Sequence, residues 1–300
     1  MSIPADAWLQ GKAPRSASAV HALFDATCRC HAAAPDSAPQ HGAPNVHALD
    51  PQLSMRTFRP LVQHVRSRMR GAKDRFAQWD QLHDDDRVSA RTADAWLLEA
   101  SHWLRDPVLG LNALVGLKRG IGDVVELAAE SAPDLGTALT NVARFAQLIY
   151  EGADFHLHTT DQLACLQLRY TLPISHVSSD YVAALLLHGV RRWLGLPSGV
   201  QLWFKDEDGR NPAAYAAAFA PVSVQFGTRA DAIVLPRAVL DLPIAGADPV
   251  LHGILVRFAE HQISARGEEA ALSEQVRHQL TAVLSSEGNG HVGNVAKKLG

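Results

Sequence analysis

The amino-acid sequence predicts an α+β fold: a small antiparallel sheet covered by helices, with helical N-terminal and C-terminal segments. Three observations predict it. Residues 134–150 repeat their apolar side chains at helical spacing, whereas residues 155–170 alternate apolar and polar with period two. The elements also come in the order helices, hairpin, helix, strand, helix, hairpin, helices. That order lacks the regular strand–helix alternation of a parallel sheet. Hydrophobic residues make up 47% of the 300, which is enough for a sizeable core.

Residues 1–54 are rich in Ala, Pro, Ser and His, with prolines at 4, 14, 35, 39, 44 and 51. Such a composition buries little surface, so this segment is expected to be a mobile arm with a short helix at 17–33. Order is expected from about Met55. Helical spacing follows in Phe58–Met69 and Ser89–Leu104, with Trp96, Leu97 and Trp103 as buried anchors. Asp134 caps the clearest helix, whose stripe is Leu135, Ala138, Leu139, Val142, Phe145, Ala146 and Ile149.

Phe155–His158 and Leu163–Tyr170 then read as a hairpin turning at Thr160-Asp161. Ser178 or Ser179 caps the next helix, which carries Val182, Leu185, Leu186, Val190 and Trp193 on one face and stops at Gly195. Val200–Phe204 reads as a strand, Asp206–Gly209 as a turn and Pro212–Phe219 as a short helix. Val222–Phe226 and Ala232–Leu235 are expected to form a second antiparallel pair. Asp248-Pro249 opens a helix with Leu251, Ile254, Leu255, Phe258 and Ile263 inward. Ser273 opens another, with Val276, Leu280, Val283 and Leu284 inward.

Charge and motif content exclude several functions. The formal net charge is −3, so no global basic field draws nucleic acid, and DNA affinity would need a local patch. No leader pattern or long apolar run is present, and Cys28, Cys30 and Cys165 make no secreted disulfide framework. A cytoplasmic protein with no membrane partner is expected. Cys28-Arg-Cys30-His31 has the wrong cysteine spacing and no second pair for structural zinc. His156 and His158 share a strand face, and a turn at Thr160-Asp161 sets Cys165 across from His156. A partly solvated sheet face explains all three without a metal.

Asp206–Asn211 fails as a calcium loop because its twelfth position is Ala217. No recognised nucleophile or zinc-protease motif occurs. No catalytic residue, metal or cofactor is therefore expected. Arg191-Arg192 either complements the C-terminal dipole of its helix or holds an anionic effector. Tyr150, Tyr170, Tyr181 and Trp203 flank the expected sheet and serve either as core or as pocket lining.

Several segments carry a family resemblance. They are Asp106-Pro107-Val-Leu109-Gly110-Leu111, Asp134-Leu-Gly136-Thr-Ala138-Leu139, Leu187-His-Gly-Val-Arg-Arg192-Trp-Leu-Gly195 and Tyr215–Phe226. Leu235-Pro236-Arg-Ala-Val-Leu240-Asp241-Leu-Pro243 and Ala247-Asp248-Pro249 complete the series. In this order and spacing, residues 105–285 resemble the arabinose-binding-type N-terminal region of AraC/XylS-type transcription regulators. Val295-Ala-Lys297-Lys298-Leu299-Gly300 resembles the opening of the helix-turn-helix in the same regulators. One departure is Lys205–Gly209, where the family places a His or an aromatic before a proline, so no particular effector is implied.

Beside the mobile arm that composition gives at 1–54, which is longer than the family leads one to expect, the resemblance implies an effector-sensing and dimerising domain at 55–285, and at 286–300 a linker with the first turns of a truncated DNA reader. It implies a small-molecule effector, promoter DNA and a homodimeric partner. Candidate effector-binding residues are Tyr150, His156, His158, Tyr170, Arg192 and Trp203; Lys297 and Lys298 belong to the partial DNA-binding motif. The rival readings are a small-molecule-metabolising enzyme with an unrecognised site and a dimerising adaptor without a ligand.

Overall fold

The computed structural model describes residues 50–69, 75–113, 119–195, 197–205 and 210–285. Residues 1–49 of the expected arm with the Cys28–His31 cluster, the turn at 206–209, and residues 286–300 with Lys297 and Lys298 lie outside the described residues. So do the side chains of Val276, Leu280, Val283 and Leu284. The arm's expected last residues, Gln52–Ser54, form a paired strand and are not mobile chain.

Strand β1 (Gln52–Ser54) pairs antiparallel with β2 (Arg87–Ser89), and each leads directly into a helix, α1 (Met55–Arg68) and α3 (Ala90–Leu104). Between them lies the short α2 (Ala77–Asp80), and α4 (Leu109–Asn112) follows α3. These elements share one apolar cluster in which Phe58 meets Trp79 and Trp96 edge-on at 5.1 and 5.8 Å. Edge-to-face rings of this kind add about 1 kcal/mol each beyond the burial of their area. Trp96 and Leu97 are buried as the spacing predicts, while Trp103 is half-buried at the margin.

The second and larger cluster begins with α5 (Asp123–Glu130) and α6 (Leu135–Ile149). The Asp134 carboxylate accepts the Thr137 N–H at 2.7 Å, the cap read from sequence. Such a cap stabilises a helix by about 1 kcal/mol. Strands β3 (Ala153–Thr159) and β4 (Leu163–Tyr170) form the expected hairpin, shifted by one residue. Thr159 pairs with Ala164, so Asp161-Gln162 is the tip, and Cys165 lies across from His158 rather than His156. Thr160 sets this register: its N–H reaches the Leu163 carbonyl at 2.8 Å, and its hydroxyl accepts the Leu163 N–H.

Helix α7 (His176–Leu194) starts earlier than expected. Its cap is Ser175, whose hydroxyl accepts the Ser178 N–H. The reason is tertiary: Asp94 of α3 accepts from the Ser175 N–H and hydroxyl and from the Ser178 hydroxyl.

After β5 (Gln201–Trp203) come α8 (Pro212–Phe219), β6 (Ser223–Gln225) and β7 (Asp231–Pro236). The sheet order is β3-β4-β7-β5-β6. The expected pairing of residues 222–226 with 232–235 does not form. Instead β6 pairs parallel with β5, and β7 inserts between β4 and β5, antiparallel to both. Helix α8 is the crossover that returns the chain in the same direction, which a short turn cannot do. The fold is α+β, with a mixed five-stranded sheet in place of a purely antiparallel one.

Period-two alternation splits the sheet faces. Ala164, Leu166, Leu202 and Ile233 meet α6 and α7 in the main core. Cys165, Trp203, Ala232 and Val234 form a small cluster on the other side.

A short 3-10 turn (Arg237–Asp241) leads to α9 (Pro249–Ser285). This is one helix of 37 residues, where a break near 267–273 was expected. Gly267 alone costs a helix only about 1 kcal/mol, and neighbouring Ala and Glu residues are good helix formers. The inward face also differs. Ala259 is buried and Leu255, Val256 and Ile263 pack on the core. Val250, Leu251, Ile254 and Phe258 are exposed, Phe258 at 51%. Leu251, Ile254 and Phe258 therefore do not belong to the core stripe.

Candidate functional site

The helices named above do not close completely. A cavity of about 110 Å³ lies between α1, α3, α6 and α7, with β1 and β3 at its rim. Its walls are almost wholly hydrocarbon: Phe58 and Leu61 from α1, Ala93 and Leu97 from α3, Val142 and Ala146 from α6. Val182, Leu185 and Leu186 of α7 also face it. These three are only half-buried although they point inward, because they look into this space. A smaller cavity of about 70 Å³ adjoins it, separated by Val125, Val142, Ile149, Leu185 and Leu186, and reaches His188 and Arg192.

Few polar groups line the main cavity, and most are committed. Thr57 donates its hydroxyl to the Ile121 carbonyl at 2.7 Å, and Tyr181 donates to the Thr57 carbonyl at 2.8 Å. Ser178 donates to Asp94 at 2.5 Å. Tyr150, which lines the cavity, is different: its hydroxyl makes no hydrogen bond among the described residues. Burial, then the nearby Asp94 carboxylate, push this phenol up to about 12, so it stays protonated and able to donate. Gly152 makes that placement feasible, since a Cβ there would lie 2.5 Å from the Tyr150 hydroxyl.

The residues singled out in the sequence are distributed over several places. Tyr150 lines the main cavity and Arg192 the smaller one. The Arg192 guanidinium is held by Glu126 at 2.7 Å and Glu130 at 3.2 Å. Tyr170 stands behind the wall, against the Tyr150 and Phe155 rings at 6.2 and 5.9 Å. His156 and His158 stack on the opposite face of the sheet, beside Asp154 and Gln167 respectively. Trp203 packs among Cys165, Ala232 and Val234 on that far face and donates to Gln201.

Burial pushes the Cys165 thiol up to about 12, which leaves it a poor ligand and nucleophile. Among the described residues no group of three or more His, Cys, Asp or Glu side chains could hold a metal. The sequence reading did not single out Asp94 or Leu61, and it placed Val182 on a helix face without marking it as cavity lining. The signal for Asp94 was present as a lone carboxylate between Ala93 and Trp96 on an inward helix face.

Residues 78–244 match the family described as the arabinose-binding domain of AraC transcription regulator, N-term. The chain belongs to this family. As an AraC-type N-terminal domain it is a ligand-sensing regulatory module. No curated protein matches the chain. Among solved structures it is similar to the transcriptional regulator CdpR from Pseudomonas aeruginosa, at 17% identity and a TM-score of 0.48. That likeness covers 66% of this chain and 60% of CdpR, so the chain spans less than two thirds of that regulator's length. In this AraC-type domain, α1 precedes the matched residues, yet it supplies one wall of the cavity. Among the described residues no helix is long and apolar enough to cross a membrane.

Proposed function

We propose that this domain senses a small effector in the cavity between α1, α3, α6 and α7, and relays occupancy through α6 to α9. One observation carries the reading: α6 both lines the cavity and grips α9. Val142 and Ala146 face the cavity. From the same helix Arg144 reaches Glu260 at 2.7 Å and Asn141 reaches His252 at 3.5 Å. Arg266 of α9 in turn donates to the Leu148 carbonyl at 3.0 Å. A ligand that prefers one position of α6 thereby biases α9 by its difference in affinity for the two arrangements. The regulated output is promoter binding, and the sensing and dimerising unit spans residues 55–285. No catalytic role is proposed, because the serine–carboxylate contacts around α7 serve its cap and Cys165 is buried and protonated.

A metabolite library screened by thermal shift tests the reading. At least one compound should raise the midpoint, as any ligand preferring the folded state must. Ala146→Trp, which obstructs the cavity, should abolish that shift. Hits that persist unchanged in the obstructed variant would place sensing elsewhere.

The partner proposed for α9 is a second copy of the chain. Val250, Ile254 and Phe258 recur at four-residue spacing on its solvent side, a stripe that can pack against its own symmetry mate. Phe258→Asp should yield a monomer by light scattering with the melting midpoint of its fold intact. Leu255→Asp, on the packed side, should instead cost about 3 kcal/mol by burying a carboxylate. A Phe258→Asp protein of unchanged mass would remove the dimer proposal.

A further inference from the structure

We infer that the cavity takes a compact, uncharged, largely hydrocarbon molecule bearing one hydroxyl or carbonyl, with that group hydrogen-bonded to Tyr150. The inference rests on the sensing role proposed above and specifies what is sensed. It follows from an accounting of the polar groups on the cavity wall. Thr57, Ser178 and Tyr181 have donated their hydroxyl protons to protein acceptors. Both Asp94 oxygens already accept from Ser175. Among the described residues of this wall, the Tyr150 hydroxyl alone is left with a proton to give.

A free sugar, with a hydroxyl on nearly every carbon, would lose most of its hydrogen bonds on entry and is therefore rejected. A carboxylate fares worse. Among the described residues Asp94 is the one charged group on the main cavity wall, and no Lys or Arg lines it. An ammonium is disfavoured as well, because Asp94 already accepts from Ser175 and Ser178 and could replace only part of the lost hydration. Size sets the last limit. An apolar cavity of roughly 150 Å³ holds benzene, so 110 Å³ limits the ligand to about that size. The family's label, which names arabinose, does not describe the chemistry of this wall.

The test uses the full chain at neutral pH with five probes: toluene, benzyl alcohol, benzylamine, benzoate and L-arabinose. Thermal shift and titration calorimetry should detect toluene and benzyl alcohol, with the alcohol bound more tightly, and should find the other three inactive. Tyr150→Phe should weaken benzyl alcohol about fivefold to tenfold while leaving toluene unchanged, the signature of one lost hydrogen bond. Equal weakening of both would remove the assigned role of Tyr150. Binding of arabinose or benzoate that disappears in Ala146→Trp would overturn the ligand class and leave the sensing role standing. Failure of both toluene and benzyl alcohol to bind would overturn the ligand class; the sensing role is then decided by the library screen. Should Ala146→Trp not fold, Val182→Phe obstructs the same space from α7.

Discussion

Asp180→Ala should destabilise the domain by about 3–5 kcal/mol, enough to lower its urea midpoint severely. Asp180 sits fully buried in the second turn of α7. Its carboxylate receives Arg210 Nε at 3.1 Å and the Tyr215 hydroxyl, and Arg210 lies over the Phe204 ring at 4.5 Å. Alanine removes the acceptor that both donors face and leaves a void between α7 and α8. Asp180→Asn keeps the shape and an acceptor oxygen, so its cost should be a fraction of that.

The pair of variants also tests pH dependence. Burial pushes the Asp180 carboxyl up from 3.8 to about 6, despite Arg210 and Tyr215 beside it. A folded-state value above the unfolded one means a stabilising contribution that is complete below pH 4 and fades as pH rises through about 6. Stability of the wild-type domain should therefore decline from pH 4 to 6 relative to Asp180→Asn, which has no proton to lose. Parallel pH profiles for the two proteins would show that Asp180 titrates as an ordinary carboxylate.

Gly110→Ala should cost about 3 kcal/mol, at the upper end of overpacking effects. A Cβ at this position would lie 2.3 Å from the Val177 carbonyl oxygen, 2.9 Å from the Tyr181 nitrogen and 3.2 Å from the Asp180 Cβ. Two of these are backbone atoms of α7, so relief requires moving α4 away from it rather than turning a side chain. That shift would open the seam between the N-terminal helical cluster and the sheet core, beside Tyr181 at the cavity wall. Denaturant melts check this directly. A Gly110→Ala domain with the wild-type midpoint would mean that the two helices are not held at this distance.

The features legible in the sequence are those decided by neighbours within a few residues. The Asp134 cap and its stripe give α6, because capping and the i, i+4 spacing act within one turn or two. Alternation marks β3 and β4, since side chains of a strand must face opposite ways. Asn211-Pro212 opens α8 for the same local reason. The family was legible too, through short segments spread over the chain. Tyr150 could be marked as an aromatic beside the sheet, but its partnerless hydroxyl could not.

The tertiary structure decided everything that depends on which distant residues meet. Strand β7 lies between β4 and β5 because its Ile233 and Leu235 complete the core under α6 and α7, and local alternation cannot name a strand's partner. The one-residue shift of the hairpin came from a Thr160 side chain competing for the Leu163 N–H. The start of α7 came from Asp94, more than eighty residues earlier. The exposed side of α9 escaped the sequence because an apolar stripe shows which residues avoid water, not whether this chain or another covers them. The cavity is the extreme case. Its lining is made of ordinary apolar helix residues, and a space is set by how the helices fail to meet, which no single helix encodes.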